Sequence, residues 1–293
     1  MTDPIYLLAT DSCCDLPADV VESLGVTVLE FPFTLDGEQH FDDLGRTMPA
    51  AEFFGRMRDG AMPTTAQVPM SEYMAAFTLA AQNDKPLLFL SFSSALSGTF
   101  DAAVIARDAV LAEYPDADIR VIDTLSASVN QGLLVLETAR QWQRGATIDE
   151  LEAFVRASKM RINGYFTLDT LESLRRGGRL SDVAAAAGSM LDVKAMMRLN
   201  TAGTMSMERP SRGRKKALRA LSDIFDRRAE DMSSRTVIVG HADALEDAEV
   251  VSAMLRERRE IYQVLTCEIG PVIGSHTGPG MVAVVFWGPE RDS

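Results

Sequence analysis

The chain has 293 residues, 46% hydrophobic and 24% charged, the balance of a folded globular protein with room for one large or two ordinary domains. Its formal net charge of −13 excludes general nucleic-acid binding, which needs a basic face, but leaves room for a local basic cluster and an anionic small ligand. No apolar run is long enough to span a bilayer, and three cysteines, two of them adjacent at Cys13 and Cys14, make neither a disulfide framework nor a metal set.

Ile5–Ala9 is apolar but has no basic segment before it, so no secretory signal is expected and the cytoplasm is the expected compartment. Ile5–Thr10 reads as the first strand. Asp11-Ser12-Cys13-Cys14-Asp15 then precedes a helix from Pro17 to Leu24, and open α/β sheets place ligands at such strand ends. An Asx or Ser cap that only ends the strand is the plain alternative. Val26–Phe33, rich in β-branched residues, predicts a second strand, Asp36-Gly37-Glu38 a hairpin-like turn, and Pro49–Arg58 a helix. Met62–Pro69 holds too many prolines and hydroxyls for a regular element; its Thr64-Thr65 pair offers hydroxyls or a cap before a helix over Met70–Gln82.

Leu87–Phe92 is an apolar run that predicts a buried strand. It leads through Ser93, Ser94, Ser97, Gly98 and Thr99 into a helix with Phe100, Val104 and Val110/Leu111 near one face. Free N–H groups at the helix start, its dipole and the hydroxyls favour a carboxylate or phosphate; Ser/Thr capping is the alternative. Ile119–Asp123 is another strand. Thr124–Ser128 opens a helix that carries Val129, Leu133, Leu136 and Trp142 inward as far as Arg144-Gly145. Thr147 and Glu150 form a capping box for a helix ending at Ser158. This alternation predicts a mainly parallel sheet covered on both faces.

Gly164–Leu168 starts a second unit. A short helix, Leu171–Arg176, is closed by Gly177-Gly178-Arg179-Leu180-Ser181, and Asp182–Met190 reads as an alanine-rich helix. Val193–Asn200, Ala202-Gly203 and Thr204–Glu208 read as strand, turn and strand. Arg209, Arg212, Arg214, Lys215, Lys216 and Arg219 follow closely, as a solvated helix face or as a site for phosphate or an acidic partner. Arg235–Gly240 is a strand ending in His241, Ala244–Arg259 a helix, Val264–Ile269 a strand. Gly270–Gly280 reads as a long loop before the last strand, Met281–Trp287. Within that loop His276, framed by Ser275, Thr277 and glycines, is a better functional candidate than His40 or His241.

Conventional catalytic motifs are missing: no Gly-x-Ser-x-Gly elbow, no phosphate loop, no His-Glu-x-x-His and no dinucleotide fingerprint. A hydrolase pairing Ser97 with His276 lacks an evident helper carboxylate. Residues alone therefore lead to a two-unit α/β protein that binds an anionic small ligand.

Several stretches together resemble the DegV family of bacterial lipid-binding proteins. Thr10-Asp11-Ser12 with Asp15-Leu16-Pro17 is similar to its opening motif. Pro63-Thr64-Thr65-Ala66-Gln67 is similar to its Thr-Ser-Gln loop, with alanine in place of serine, and Ser93–Thr99 to its signature. Tyr165-Phe166, Leu171–Leu174, Arg176–Ser181 and His276–Gly280 match as well, so the similarity runs from residue 5 to 287. The resemblance implies two α/β domains, residues 1–162 and 163–293, with a mainly parallel sheet in the first, a mixed sheet in the second and a ligand tunnel between them. It implies a bound long-chain fatty acid presented to a separate kinase subunit, which carries ATP and Mg and makes the acyl phosphate for phospholipid synthesis. Alone, such a chain has no turnover, no cofactor and no metal. A lipid carrier or sensor without a kinase partner is the alternative, and transient membrane contact would serve lipid exchange. By the same resemblance Thr65 and Ser97 bind the carboxylate with Ser94 and Gly98 beside them, and Arg212 and His276 assist phosphoryl transfer. Soft side chains around residues 183–197, among them Met190, Leu191, Met196 and Met197, are expected in the tunnel wall or, equally, in the core.

Overall fold

The computed structural model describes residues 7–179 and 193–293. β1 (Leu7–Asp11) runs into a single 3-10 turn, Ser12–Cys14, and α1 (Ala18–Leu24) ends where Gly25 adopts the left-handed conformation. The stretch expected as one strand is two, β2 (Thr27–Leu29) and β3 (Pro32–Leu35), in different sheets. The break falls just before Pro32, whose missing N–H cannot continue a ladder. β3 instead pairs with β4 (Glu38–Phe41) through a two-residue turn, Asp36 and Gly37, at φ +52 and +85. That turn type matches the twist of the strands, and the hairpin reading of the sequence holds.

α2 (Ala50–Arg58) and α3 (Met70–Gln82) each start directly after a proline, with β5 (Thr64–Thr65) between them. The hydroxyl-rich stretch is thus partly regular: Thr65 pairs with Phe33, completing a small antiparallel sheet in the order β4-β3-β5. β6 (Leu87–Ser91) is buried throughout and lies parallel to β1 and to β7 (Ile119–Asp123), in a four-stranded parallel sheet β2-β1-β6-β7. α4 (Thr99–Glu113) buries Ala102, Ala103, Ala106 and Val110, while Phe100, Val104 and Leu111 are only half-buried. Small side chains let α4 lie close against α3, and this packing displaces the face read from larger residues. α5 (Val129–Gln143) is buried from Val129 to Leu136, because it packs on the Ser12–Cys14 turn and on the second sheet. α6 (Ile148–Ser158) starts on the Thr147–Glu150 capping box, both arms of which are formed.

The second half contains β8 (Ile162–Thr167), α7 (Glu172–Arg176), β9 (Val193–Leu199), β10 (Met205–Arg212) and α8 (Arg214–Arg228). β11 (Thr236–His241), α9 (Leu245–Arg258), β12 (Gln263–Glu268), α10 (Pro271–Thr277) and β13 (Val282–Trp287) complete it. Six strands form a mixed sheet, β10-β9-β8-β13-β11-β12, in which only β11 and β12 are parallel. The supposed long loop at Gly270–Gly280 is largely α10. Pro271 stands in its first turn and Gly278, at φ +73, ends it. Gly274 is there for close packing, since a Cβ would stand 2.6 Å from the Phe54 ring of α2. The alanine-rich helix expected over Asp182–Met190, together with Ile5, Tyr6, Leu180, Ser181 and Leu191, lies outside the described residues. Among the described residues no helix is long and apolar enough to cross a membrane.

Side-chain ties cross between the halves. Ser93 Oγ donates to the Gly203 carbonyl at 2.9 Å, Asp15 accepts from the Gly270 N–H at 2.9 Å, and Arg58 pairs with Asp243. Arg291, near the C-terminus, is buried and donates to the carbonyls of Leu125 and Lys159.

Candidate functional site

A cavity lies between the carboxyl ends of β1, β6 and β7 and one face of the mixed sheet, the place where parallel strands leave their ligand crevice. The empty space in and around it, open solvent at the mouth included, is about 890 Å³. Phe31 and Phe92 line it from the first half, and Phe166, Leu199, Met205 and Val285 from the second. Alternation along the strands puts Phe166 and its cross-strand partner Ala283 on this same face.

Polar groups gather at one end. Thr65 is held there by the pairing of β5 with β3, and its Oγ1 is 2.9 Å from His276 Nε2 in the last turn of α10. Ser97 lies just before α4, where its hydroxyl donates to Thr99 Oγ1 at 3.1 Å and accepts the Thr99 N–H at 3.3 Å. The capping role read as an alternative is therefore real, and the same residue also lines the cavity. Gly98 is the helix N-cap residue; a Cβ there would stand 2.9 Å from Gln67 Oε1, so glycine lets the Gln67 side chain close over the helix start. Arg179 lines both the mouth and a shallow polar depression beside it that includes Ser94, Gly98 and Thr204. Its guanidinium donates to the carbonyls of Gly177 and Leu96.

Burial, with the nearby Arg179 and Arg176 charges added, pushes His276 down to about 4. The imidazole is neutral at pH 7 and can serve Thr65 as either donor or acceptor. Its Nδ1 is buried and unpartnered, pressed against Gly177, where any Cβ would collide with it. No hydrogen bond joins Ser97 to His276 and no carboxylate orients the ring, so a Ser–His hydrolytic pair is not formed among the described residues.

Thr65, Ser97 and His276 line the cavity together, and three other candidates do not join them. Gly98 lines only the neighbouring depression. Ser94 is exposed and its hydroxyl donates to Asp123, at the edge of the depression instead of inside the cavity. Arg212 ends β10 on the surface and is absent from the described cavity lining. Met196 and Met197 are fully buried in the mixed sheet without lining the cavity, so the core reading applies to them. Arg179, not singled out as a site residue from the sequence, does line the cavity. Its setting after two glycines, in a sequence that must turn tightly, was the available signal. The rest of the mouth came from loops whose approach depends on pairing of β3 with β5, which no local pattern announces.

The chain is similar to proteins that share this architecture. A DegV domain-containing protein of Clostridium perfringens is 38% identical over 287 residues, 98% of this chain and 99% of its own length. A solved DegV family protein of Thermus thermophilus, studied for its fatty acid binding, is 28% identical with a TM-score of 0.87, covering 97% of this chain and 99% of that one. A DegV lipid-binding protein of Thermotoga maritima is 26% identical with a TM-score of 0.85, covering 98% and 99%. The model of the DegV family of uncharacterised proteins matches residues 7–288, nearly the whole chain, and the chain belongs to the DegV family.

Proposed function

We propose that the protein encloses a long-chain fatty acid, with the alkyl chain in the apolar cavity and the carboxylate at Thr65, Ser97 and His276, and presents that carboxylate to a separate kinase subunit. The observation that carries the reading is a mainly apolar cavity lining that also holds the paired Thr65 hydroxyl and His276 imidazole, Ser97 and Arg179. Similar proteins described as binding fatty acid or lipid support it. A sixteen-carbon chain gains on the order of 10 kcal/mol on burial at ~0.8 kcal/mol per methylene, so the cavity supplies affinity and the mouth supplies orientation. Neutral His276 and the adjacent Arg179 suit a carboxylate that must stay nucleophilic while charge builds on an incoming phosphoryl group. ATP and Mg belong to the partner. Arg212, on the outer surface, is in reach of a docked subunit.

Native mass spectrometry of protein purified from bacteria tests the binding step: a retained fatty acid is expected, and its absence after gentle purification refutes the reading. Adding a bacterial fatty acid kinase subunit and ATP should give acyl phosphate; no product with ligand still bound leaves a carrier without kinase partner. Ser97→Ala and Thr65→Ala should each weaken binding about fivefold, the worth of one hydrogen bond of ~1 kcal/mol, at every chain length. Titration calorimetry with two acids of different length checks this. Ligand binding should also raise the His276 pKa from about 4, because a carboxylate beside the ring favours its charged form. Imidazole NMR with and without fatty acid reads the shift directly, and an unmoved His276 would place the carboxylate elsewhere.

A further inference from the structure

At the end of α10 opposite His276, the helix rests on two buried carboxyl groups. Asp15 accepts the Gly270 N–H at 2.9 Å and the Ser128 hydroxyl; Asp42 accepts the Leu44 N–H at 3.3 Å through Oδ1. Their exposures are 3% and 2%. Asp42 Oδ2 is buried with no hydrogen bond of ordinary geometry, although the Val272 N–H of α10 faces the carboxyl and favours its charged form. Asp42 Oδ2 converges with Asp15 Oδ1 on Gly270, where a Cβ would stand 2.8 Å from the first and 3.0 Å from the second. The two oxygens are thus within about 6 Å of each other, the range in which like charges act strongly.

Among the described residues no basic side chain compensates them. The ionisable groups that face the pair are acidic or thiol: Asp11, Cys13 and Cys14 beside β1, Glu30 and Asp43 in the neighbouring loops, and Cys267 and Glu268 on β12. Arg46, near in sequence, is engaged by Glu22 and the Asp43 carbonyl at the surface. Among the described residues no three acidic, histidine or cysteine side chains are arranged to hold a metal ion, which leaves a proton as the neutralising species. Two such carboxyls titrate as one coupled pair, and the pair retains a proton where isolated carboxylates have none.

We propose that a proton retained on the Asp15–Asp42 pair docks α10, so that its loss at rising pH loosens the seven-residue helix carrying His276 and weakens the grip on the ligand head group. The binding half of this inference rests on the fatty-acid reading; the docking half does not. Burial pushes Asp42 up to about 7 and Asp15 well up, so the transition falls at neutral to alkaline pH. In the unfolded chain both ionise near the ordinary 3.8, so the folded state binds more protons. Stability is therefore highest at acidic pH, falls as pH rises from about 3.8 towards the folded values, and levels off above them.

The test uses the full chain between about pH 4 and pH 9. Thermal unfolding is followed without ligand, and affinity is measured with a fluorescent polyunsaturated fatty acid. The wild type should lose stability and on the order of tenfold in affinity across this range, one pK unit of linkage. Asp42→Asn, which keeps the shape and removes the charge, should flatten both profiles, while the exposed Asp19→Asn should leave them as in the wild type. Parallel slopes for wild type and Asp42→Asn overturn the proposal, as does stabilisation of the wild type at high pH by millimolar Ca or Mg. Should Asp42→Asn not fold, carboxyl-carbon NMR of the wild type decides: an aspartate still titrating above pH 7 is expected, and full ionisation of both by pH 6 overturns it. Unfolding profiles that behave as expected in a protein that binds no fatty acid at any pH support the proton pair and reject the ligand reading alone.

Discussion

Replacing Gly177 by alanine should leave the protein folded and remove most of its ability to hold and present a head group. Gly177 closes α7 in a right-handed conformation, φ −73, and its N–H already donates to the Ser173 carbonyl, so alanine brings no backbone strain. The added methyl has nowhere to go. It would collide with His276 Nδ1 and stand 2.9 Å from Cε1 and 3.3 Å from Cγ, so the ring must swing away. The 2.9 Å contact between His276 Nε2 and Thr65 Oγ1 is then lost, and the mouth loses its only link between β5 and α10 side chains among the hydrogen bonds described. A displacement of about 1 Å can cost on the order of a hundredfold in a positioned reaction, and that loss is expected in acyl phosphate formation. Affinity should fall less, about fivefold, because the alkyl chain is untouched. The check is paired: thermal unfolding within a few degrees of wild type, and a moved His276 imidazole resonance. An unchanged resonance with unchanged turnover would show that Gly177 does not set the ring.

This sensitivity explains which parts of the site were legible in the sequence. Elements governed by their own residues were read correctly: β6 as an apolar run, the Asp36-Gly37 turn, the Thr147–Glu150 cap. Ser97, Gly98 and Thr65 had helix capping as a ready local explanation, and only the family resemblance singled them out as carboxylate ligands. Errors arose where distant packing overrode the local signal. Gly270–Gly280 has the composition of a loop, yet Gly274 exists to let α10 lie against Phe54, a contact across more than two hundred positions of sequence. The apolar face of α4 was drawn through its large residues, while the true interface selects alanines. Arg212, named by resemblance, is exposed and outside the described cavity lining, whereas Arg179 lines it. The acidic pair beneath Gly270 was invisible for the same reason, since Asp15 and Asp42 meet only through the three-dimensional path of two loops.

Ala283→Phe should separate the cavity from its mouth more sharply than any head-group variant. Ala283 lies in the middle of β13, opposite Phe166 on one side and Gly240 on the other, and its side chain faces the cavity. A benzyl group there occupies room that about four methylenes would take, worth ~3 kcal/mol, so long acids should lose more than a hundredfold in affinity. Short acids, which never reach this depth, should bind as before. In the wild type, affinity should rise by ~0.8 kcal/mol for each added methylene; in Ala283→Phe the rise should stop early. Filling a void lined by Phe166 and Val285 adds contacts to the ligand-free protein, so its melting temperature should hold or increase unless the ring overpacks the sheet. Ser97→Ala predicts the opposite pattern, a constant loss at all lengths. A chain-length series by calorimetry distinguishes the two: equal slopes in wild type and Ala283→Phe would mean that the acyl chain does not run along β13, and the assignment of the cavity would fail with it.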